Sequence, residues 1–283
     1  MVIGNAPKSE AASALIIFAG RAGDRNGRAM LGAKAMGAAL AKATGSAGAA
    51  TGVFEAPLGA DWAIELEAAR SGLLHLQQML TAAFDAGTQP ISVIGRCAAA
   101  LGTLPVVART RKDAAIVYFD AHGDCNTPEH TTSGYLGGMV LSGAAGYWET
   151  GLGNDLKLSN VVLVGSRDLD PFECELIGKA AVKIVELGPD LPARLRTALA
   201  GRPAYVHLDC DVLDPGIVPT EYCVPCGLSL GELCEACAVI AERKMVGLEI
   251  AEFEACWNDG SPCDPGPLVT ALEPLLMAMK PTA

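Results

Sequence analysis

The chain is poor in aromatic and basic residues and lacks long apolar runs. Aromatic residues make up only 5% of its 283 residues although hydrophobic residues make up 51%, so its core must consist mainly of Ala, Val, Leu and Ile. Lys and Arg number 21 against 32 Asp and Glu, which gives a formal net charge of −11. This balance argues against nucleic acid or an anionic membrane surface as a partner, because both attract basic patches. No run of about 18 apolar residues is present, so a membrane span is not expected.

An apolar stretch near the start, residues 11–19, follows Lys8 and could form the core of a signal peptide. Glu10 interrupts that pattern and no convincing small-residue cleavage site follows, so we interpret the stretch as a buried first strand and expect a cytoplasmic protein. The sequence has no internal repeat, linker or block of like charge. We therefore expect one compact domain over residues 1–283, while the question of a homo-oligomer stays open.

Ten cysteines would suggest disulfides in a small secreted protein, but this chain is long. The sequence contains two CxxC pairs, Cys223/Cys226 and Cys234/Cys237, and a zinc site is one interpretation of them. However, seven residues separate the pairs, and the usual gap in such sites is about 15–20 residues. The second pair also falls in a predicted helix. We expect reduced, mostly buried thiols.

Short Val- and Ile-rich runs alternate with longer helical patterns, and the runs lack the polar alternation of half-exposed strands. The predicted strands are residues 14–18, 52–55, 91–94, 115–120, 161–164, 182–186, 204–209 and 246–251. The helix candidates include residues 62–86, 191–200, 230–243 and 267–279. Eight βα units predict an α/β fold with a mostly parallel sheet and helices on both sides, with a closed eight-stranded barrel as the alternative. In either fold, polar residues at the carboxyl ends of strands are candidates for the site.

Asp120, His122 and Asp124 stand at alternate positions where the strand at residues 115–120 ends. Potential ligands that leave a buried strand are costly to bury without a partner, and a metal ion is such a partner. The alternative, a polar loop with an N-capping Asp, does not explain the alternation. We interpret this segment as metal-binding.

A second pair of carboxylates, Asp209 and Asp211, closes the strand at residues 204–209, and strand periodicity places both on one face. His207 lies on the same face one step deeper, either as a hydrogen-bond donor to a ligand or as an ordinary core histidine. Two such close carboxylates repel each other unless a cation lies between them. Together the two clusters suit two divalent ions that share bridging carboxylates and ionise water near neutral pH.

A third acidic cluster lies at the end of the last predicted strand. Glu252 and Glu254 share one face, with Glu249 on the other. One of these carboxylates could hold a cationic substrate through a bidentate pair with a guanidinium group. Taken alone, a solvated loop explains this cluster equally well.

These clusters, in this order, resemble the arginase/agmatinase (ureohydrolase) superfamily. The similarity extends from about Ile91 to the last strand. The segments that carry it are Asp120-Ala121-His122-Gly123-Asp124, Asp209-Cys210-Asp211-Val212-Leu213-Asp214-Pro215 and Gly247-Leu248-Glu249-Ile250-Ala251-Glu252. The resemblance implies a three-layer α/β/α fold around an eight-stranded parallel sheet, a pair of Mn(II) ions and hydrolysis of a guanidino C–N bond.

The resemblance also implies a role for each ligand. Asp120 and Asp209 would bridge both ions. Asp124 would bind one ion and orient the attacking hydroxide, and so is expected to be catalytic. His122 and Asp211 would bind the other ion.

The substrate-binding positions are closer to those of arginases than to those of agmatinases. Glu252 matches the carboxylate that meets the guanidinium and is the second expected catalytic residue. Asn126, Thr131 and Ser133 match the positions that grip an α-carboxylate, and Asp170 and Glu173 match those that face an α-amino group. Neutral donors suit a carboxylate and acids suit an ammonium, so an α-amino acid with a guanidino side chain is favoured.

Two positions depart from the family pattern. The Gly-Gly-Asp-His segment of the family is replaced by Ile94-Gly95-Arg96-Cys97, so Cys97 stands where a metal-binding histidine belongs. Thiolate suits Mn(II) less well than imidazole, so the ion beside Cys97 should be held weakly or be another divalent metal. Gly137 replaces a histidine thought to pass a proton to the departing amine, so ordinary arginase turnover should be slow.

Both departures resemble a branch of the superfamily that hydrolyses Nω-hydroxy-L-arginine to ornithine and hydroxyurea. We therefore predict an amidinohydrolase for L-arginine or its Nω-hydroxy derivative. One alternative is a catalytically impaired relative that acts as a binding or assembly protein, although it would have no reason to keep unpaired buried charges. Another is a hydrolase of agmatine or a further guanidino compound, which Asn126, Ser133 and Glu173 disfavour.

Overall fold

Val- and Ile-rich segments form a single parallel sheet in the computed structural model, which describes residues 14–280. Its strands are β1 (Leu15–Phe18), β2 (Ala49–Thr51), β3 (Ile91–Ile94), β4 (Ala115–Phe119), β5 (Val161–Val164), β6 (Lys183–Val185), β7 (Ala204–Asp209) and β8 (Met245–Ala251). They lie in the order β2-β1-β3-β8-β7-β4-β5-β6, and every neighbouring pair is parallel. The central strands β3, β8, β7 and β4 are buried at every residue, which explains their lack of polar alternation.

Helices cover both faces of this sheet. Those of the described residues are α1 (Arg28–Thr44), α2 (Trp62–Asp85), α3 (Ala100–Thr110), α4 (Val140–Ala144), α5 (Pro171–Lys179), α6 (Leu191–Leu199), α7 (Leu230–Ala241), α8 (Gly266–Ala271) and α9 (Glu273–Ala278). One apolar cluster packs helices α1, α6, α7, α8 and α9 against one face of the sheet. A second cluster packs helices α2, α3, α4 and α5 against the other face. The three-layer α/β/α fold with a parallel eight-stranded sheet is therefore confirmed. The sheet is open, with β2 and β6 at its edges, so the alternative of a closed barrel is wrong.

The second strand is misplaced in the sequence prediction. It spans Ala49–Thr51 and not residues 52–55, which are exposed. Gly52 has a φ of +75°, and a Cβ atom there would lie 2.4 Å from the backbone nitrogen of Gly20. The prediction is wrong because Val53 and Phe54, which are apolar, lie at the surface.

The predicted helix at residues 267–279 is divided into α8 and α9. The division is at Leu272, and Pro274, which has no N–H group to donate, follows in the first turn of α9. Helices α1, α3, α4 and α5 were not among the candidates. Helix α1 buries one face at helical spacing, but most residues of that face are Ala and Gly, whose weak hydrophobicity makes the pattern hard to recognise in the sequence.

All ten cysteines lie within the described residues and none forms a disulfide. Only four of them are buried, so the expectation of reduced thiols is confirmed and that of mostly buried ones is wrong. Within residues 14–280, the side-chain groups that could hold a metal include neither CxxC pair. No helix in this range is both long and apolar enough to cross a membrane. The single domain over residues 1–283 stays a prediction; Lys8, Glu10 and residues 11–13 lie outside the described residues.

Candidate metal centre and active site

The four central strands bring reactive side chains to one edge of the sheet. Asp120 follows β4, Asp209 ends β7, Glu252 follows β8, and Cys97 lies three residues beyond β3. Because β3, β8, β7 and β4 are parallel neighbours, their carboxyl ends lie side by side. Of these side chains, Cys97, Asp209 and Glu252 line one pocket, and Asp120 is buried behind its wall.

Asp120, His122 and Asp211 form the first cluster of potential ligands. The Nδ1 atom of His122 lies 3.2 Å from Asp120 Oδ1 and 3.0 Å from Asp211 Oδ2. Burial lowers the pKa of His122, but hydrogen bonds to these two carboxylates outweigh that effect and raise the pKa far above its usual value. The second oxygen of Asp120, Oδ2, is buried and has no hydrogen-bond partner. A cation would satisfy this oxygen, which burial otherwise leaves unpaired.

Cys97 is buried at the edge of an apolar cluster, and its thiol contacts a carboxylate of the site. Its Sγ atom lies 2.9 Å from Asp209 Oδ2 and 3.3 Å from Nε2 of His207. The other ring nitrogen of His207 lies 2.8 Å from Glu249 Oε1, and the ring stacks on Tyr118 at 4.1 Å between centroids. His207 therefore links Glu249 to the thiol at the site, which is more than the role of an ordinary core histidine.

Asp124 and Glu252 share an uncommon backbone conformation. Their φ angles are +47° and +62°, in the left-handed region that residues other than glycine seldom adopt. Such a residue costs about 1–3 kcal/mol and persists where its surroundings hold it in place. Tyr118 does so for Asp124 by donating a 2.7 Å hydrogen bond from its hydroxyl group to Oδ2. The backbone N–H of Cys97 does so for Glu252 by donating to Oε1 at 2.7 Å.

The electrostatics of the cluster fit divalent cations. Burial, and then the charges of neighbouring carboxylates, raise the pKa values of Asp124, Asp209 and Asp211. In the described chain, three groups of side chains have ligand atoms that all lie within 4.8 Å of one another: Cys97 with Asp120 and Asp124, Asp120 with His122 and Asp211, and Cys97 with Asp209 and Glu252. Asp120 belongs to two of these groups, which suits a carboxylate shared by two ions.

Arg96 is a buried cation that was overlooked in the sequence. Its guanidinium lies 2.7 Å from Glu252 Oε2 and 3.0 Å from Glu254, and its side chain is 0% exposed. It also pairs with Asp24 at 3.3 Å and Glu221 at 2.7 Å. Burial raises the pKa of Glu252 to about 7, although Arg96 opposes this shift. Like Asp120, Arg96 is a charged residue that follows a buried strand and needs a partner of opposite charge, which is the signal in the sequence that points to it.

The acidic residues expected at the α-amino end of the substrate also come together. Asn126 donates a 2.8 Å hydrogen bond to Asp170 Oδ2. Glu173 accepts hydrogen bonds from the backbone N–H groups of Cys125 at 2.8 Å and Asp170 at 3.0 Å. The carbonyl oxygen of the Asn126 side chain is buried without a partner. This end of the pocket therefore combines two acids with an amide that retains hydrogen-bonding capacity.

All of the predicted site residues except Asp120 and Thr131 line the pocket. Asp120 is fully buried, and its neighbour His122 reaches the wall. The hydroxyl group of Thr131 accepts a hydrogen bond from the backbone of Gly134 at 3.2 Å, and Thr132 lines the pocket next to it. The role of Thr131 in binding stays a prediction.

Tyr135 occupies the space that a side chain at position 137 would need. A Cβ atom built on Gly137 would lie 2.4 Å from the Tyr135 ring. The ring lies 5.4 Å from that of Tyr222, between centroids, and Arg25 stacks on it with its guanidinium carbon at 4.9 Å. Neither tyrosine was predicted, because nothing in a loop sequence shows which side chain turns into the pocket. Asp168 also lines the wall without having been predicted.

A parallel α/β/α fold with a carboxylate-rich centre that could hold two cations is the arrangement of a candidate metalloenzyme. The chain belongs to the arginase family, whose model matches residues 19–259. It is a metal-dependent amidinohydrolase of that family.

The similar proteins include an N(omega)-hydroxy-L-arginine amidinohydrolase and several arginases. The chain is 39% identical over 241 residues to an N(omega)-hydroxy-L-arginine amidinohydrolase of Streptomyces lavendulae, covering 85% of this chain and 88% of that protein. It is 36% identical over 159 residues to an arginase of Brevibacillus brevis, covering about half of each, 51% and 53%. An arginase structure from Entamoeba histolytica, in complex with L-ornithine, superposes with a TM-score of 0.81 at 21% identity, covering 94% of this chain and 98% of that one. At that identity, the last comparison shows the fold alone.

Proposed function

We propose that the chain hydrolyses the guanidino group of an arginine-like α-amino acid, with Nω-hydroxy-L-arginine preferred over L-arginine. Water and the hydroxylated substrate would give L-ornithine and hydroxyurea, and L-arginine would give urea. The observation that carries this proposal is the thiol of Cys97, 2.9 Å from Asp209, within the cluster of potential metal ligands. The relative from Streptomyces lavendulae, 39% identical over 85% of this chain, is named for the same hydroxylated substrate.

The residues present fit a pair of Mn(II) ions, which we propose as the cofactor. Cys97 and Asp124 would hold one ion, His122 and Asp211 the other, and Asp120 and Asp209 both. When bound, such a pair lowers the pKa of water and makes a nucleophile available near neutral pH. Cys97 would hold its ion weakly, or hold another divalent metal, because a soft thiolate is a poor match for Mn(II).

Weak binding beside Cys97 favours the hydroxylated substrate. The oxygen of an N-hydroxyguanidine is itself a potential ligand, and it would inhibit a site that held its metal tightly. Gly137 offers no imidazole to protonate the departing ornithine amine, which should slow the release of ornithine from either substrate, so the preference rests on the site beside Cys97 and not on Gly137.

The side chains of the pocket would bind and orient the substrate. Glu252, which is held by Arg96 and by the backbone of Cys97, would accept hydrogen bonds from the guanidino group. Asp124, which is fixed by Tyr118, would accept a hydrogen bond from the attacking water and direct it at the guanidino carbon.

The opposite end of the pocket would bind the amino-acid portion. Asn126, Thr131 and Ser133 would bind the α-carboxylate, and Asp170 and Glu173 the α-amino group. A substrate bound in this way would have its scissile C–N bond beside the proposed metal ligands.

A substrate panel with metal analysis tests this proposal. The purified protein would be loaded with Mn(II), its metal content measured, and urea and hydroxyurea assayed after incubation with L-arginine, Nω-hydroxy-L-arginine or agmatine. We expect kcat/KM for the hydroxylated amino acid to exceed that for L-arginine by about tenfold or more. The Asp209→Asn variant serves as the control for background hydrolysis. A preference for agmatine, or no turnover at full metal occupancy, would contradict the proposal.

A further inference from the structure

The hydroxyl group of Tyr135 is buried in the pocket wall and has no hydrogen-bond partner. Leaving a buried hydroxyl unpaired costs about 1–3 kcal/mol, so such groups usually have a partner or await one. Asp120 and Asn126 supply two other unpaired buried oxygens at this site; a metal ion would pair with the first, and the α-ammonium group of the substrate could donate to the second, the side-chain carbonyl of Asn126. Neither explains Tyr135.

The phenol is directed to the guanidino end of the pocket. Tyr135 lines the same pocket as Glu252, which is proposed to meet the guanidino group; burial and then the charge of Glu252 raise the pKa of the phenol, while Arg96 lowers it. The backbone N–H of Tyr135 donates to Ser133 Oγ at 3.2 Å, so the main chain lies beside the expected carboxylate-binding residue while the ring extends away from it.

The ring has little freedom to turn away. Arg25 lies over it at 4.9 Å, Tyr222 lies 5.4 Å away, and the ring fills the volume beside Gly137. A hydroxyl group fixed in this way is preorganised, so a ligand that pairs with it gains the hydrogen bond without ordering a loose side chain.

L-Arginine cannot satisfy the proton of this hydroxyl group, because a guanidinium has N–H donors and no acceptor. An N-hydroxyguanidino group adds an oxygen that can accept. A site with a buried donor discriminates against an analogue that lacks the matching acceptor, since the donor is then left unpaired.

We propose that Tyr135 is a specificity-determining residue that donates a hydrogen bond from its phenol to the N-hydroxyl oxygen of the substrate. This inference rests on the proposed function and identifies the group that would distinguish Nω-hydroxy-L-arginine from L-arginine. The position of Tyr135 then requires glycine at 137, since only a residue without a side chain leaves room for the ring.

A two-by-two comparison tests the inference, because Tyr135→Phe removes one oxygen and the two substrates differ by one oxygen. With Mn(II)-loaded protein, we expect Tyr135→Phe to lower kcat/KM for Nω-hydroxy-L-arginine about tenfold and that for L-arginine less than about twofold. Tyr147→Phe, at a half-exposed tyrosine outside the pocket, should change neither value. Thermal unfolding of each variant checks that the fold is retained.

Binding gives a readout that is independent of turnover. Calorimetry with hydroxyguanidine and guanidine should show tighter binding of hydroxyguanidine by the unsubstituted protein, with most of that advantage lost in Tyr135→Phe. Equal losses for both substrates, or no change in the ratio of the two affinities, would overturn the role of Tyr135.

The failure of the proposed function has a different signature. If the unsubstituted protein hydrolyses only L-arginine, the proposed substrate preference is wrong, while the calorimetric ratio still decides whether Tyr135 binds an N-hydroxyl group. If it binds neither probe and hydrolyses neither substrate, both proposals fail.

Discussion

Replacing Arg96 with Gln should destabilise the protein by about 3–5 kcal/mol, the usual effect of leaving buried carboxylates without their cation. The side chain is 0% exposed and pairs with Asp24, Glu221, Glu252 and Glu254 at 2.7–3.3 Å. Each carboxylate retains at least one other hydrogen-bond donor, and Glu254 retains two, but none of these donors replaces the guanidinium shared by all four. Domains have a total stability of about 5–15 kcal/mol, so this loss is a large share.

Urea denaturation of the two proteins, with a chelator present so that metal binding does not contribute, measures the difference. Arg28→Gln is the matched control, because Arg28 is 29% exposed and pairs with Glu254 alone, which also keeps Arg96. The control should lose about 1 kcal/mol or less. Equal losses in the two variants would refute the view that Arg96 compensates the whole cluster.

The remaining predictions concern metal and substrate. Asp209→Asn should abolish activity and lower the metal content, because this carboxylate would serve both ions, and near-normal turnover would contradict the dinuclear site. Agmatine should be a poorer substrate than L-arginine by roughly a thousandfold in kcat/KM, since it lacks the α-carboxylate, and equal rates would contradict the proposed amino-acid subsite. Cys97→His should tighten the second Mn(II) site and raise L-arginine hydrolysis only partly, because Gly137 is unchanged; an unchanged metal titration would show that Cys97 does not bind the metal.

The location of the site can be predicted from the sequence more completely than the contacts that hold the site together. Asp120 and Asp209 could be placed at one edge because parallel strands end together. Asp211 reaches the same edge for a different reason from the one used to predict it. Strand β7 ends at Asp209, and Asp211 lies in the following 3-10 turn, where its N–H donates to Asp209 Oδ1 at 2.7 Å. Strand periodicity therefore does not explain its position.

Contacts between distant loops are not encoded in any local pattern. Arg96 and Glu252 are 156 residues apart and meet only because β3 and β8 are neighbours, although they are not consecutive. Helix α1 was not predicted because most residues of its buried face are Ala and Gly, which differ little in hydrophobicity from the rest of the segment. The position of Tyr135 depends on how one loop packs, which neither periodicity nor spacing determines.

The contact between Gly137 and Tyr135 constrains the order in which these positions can change. Introducing a histidine at 137 first would force its Cβ atom against the ring, 2.4 Å away, so that single substitution should be harmful even where the final pair is beneficial. Replacing Tyr135 with a smaller residue first opens the space. The later introduction of histidine at 137 should then be beneficial and not harmful. The two positions should therefore show sign epistasis. A library that varies position 137 alone would miss sequences that become accessible once both positions vary together.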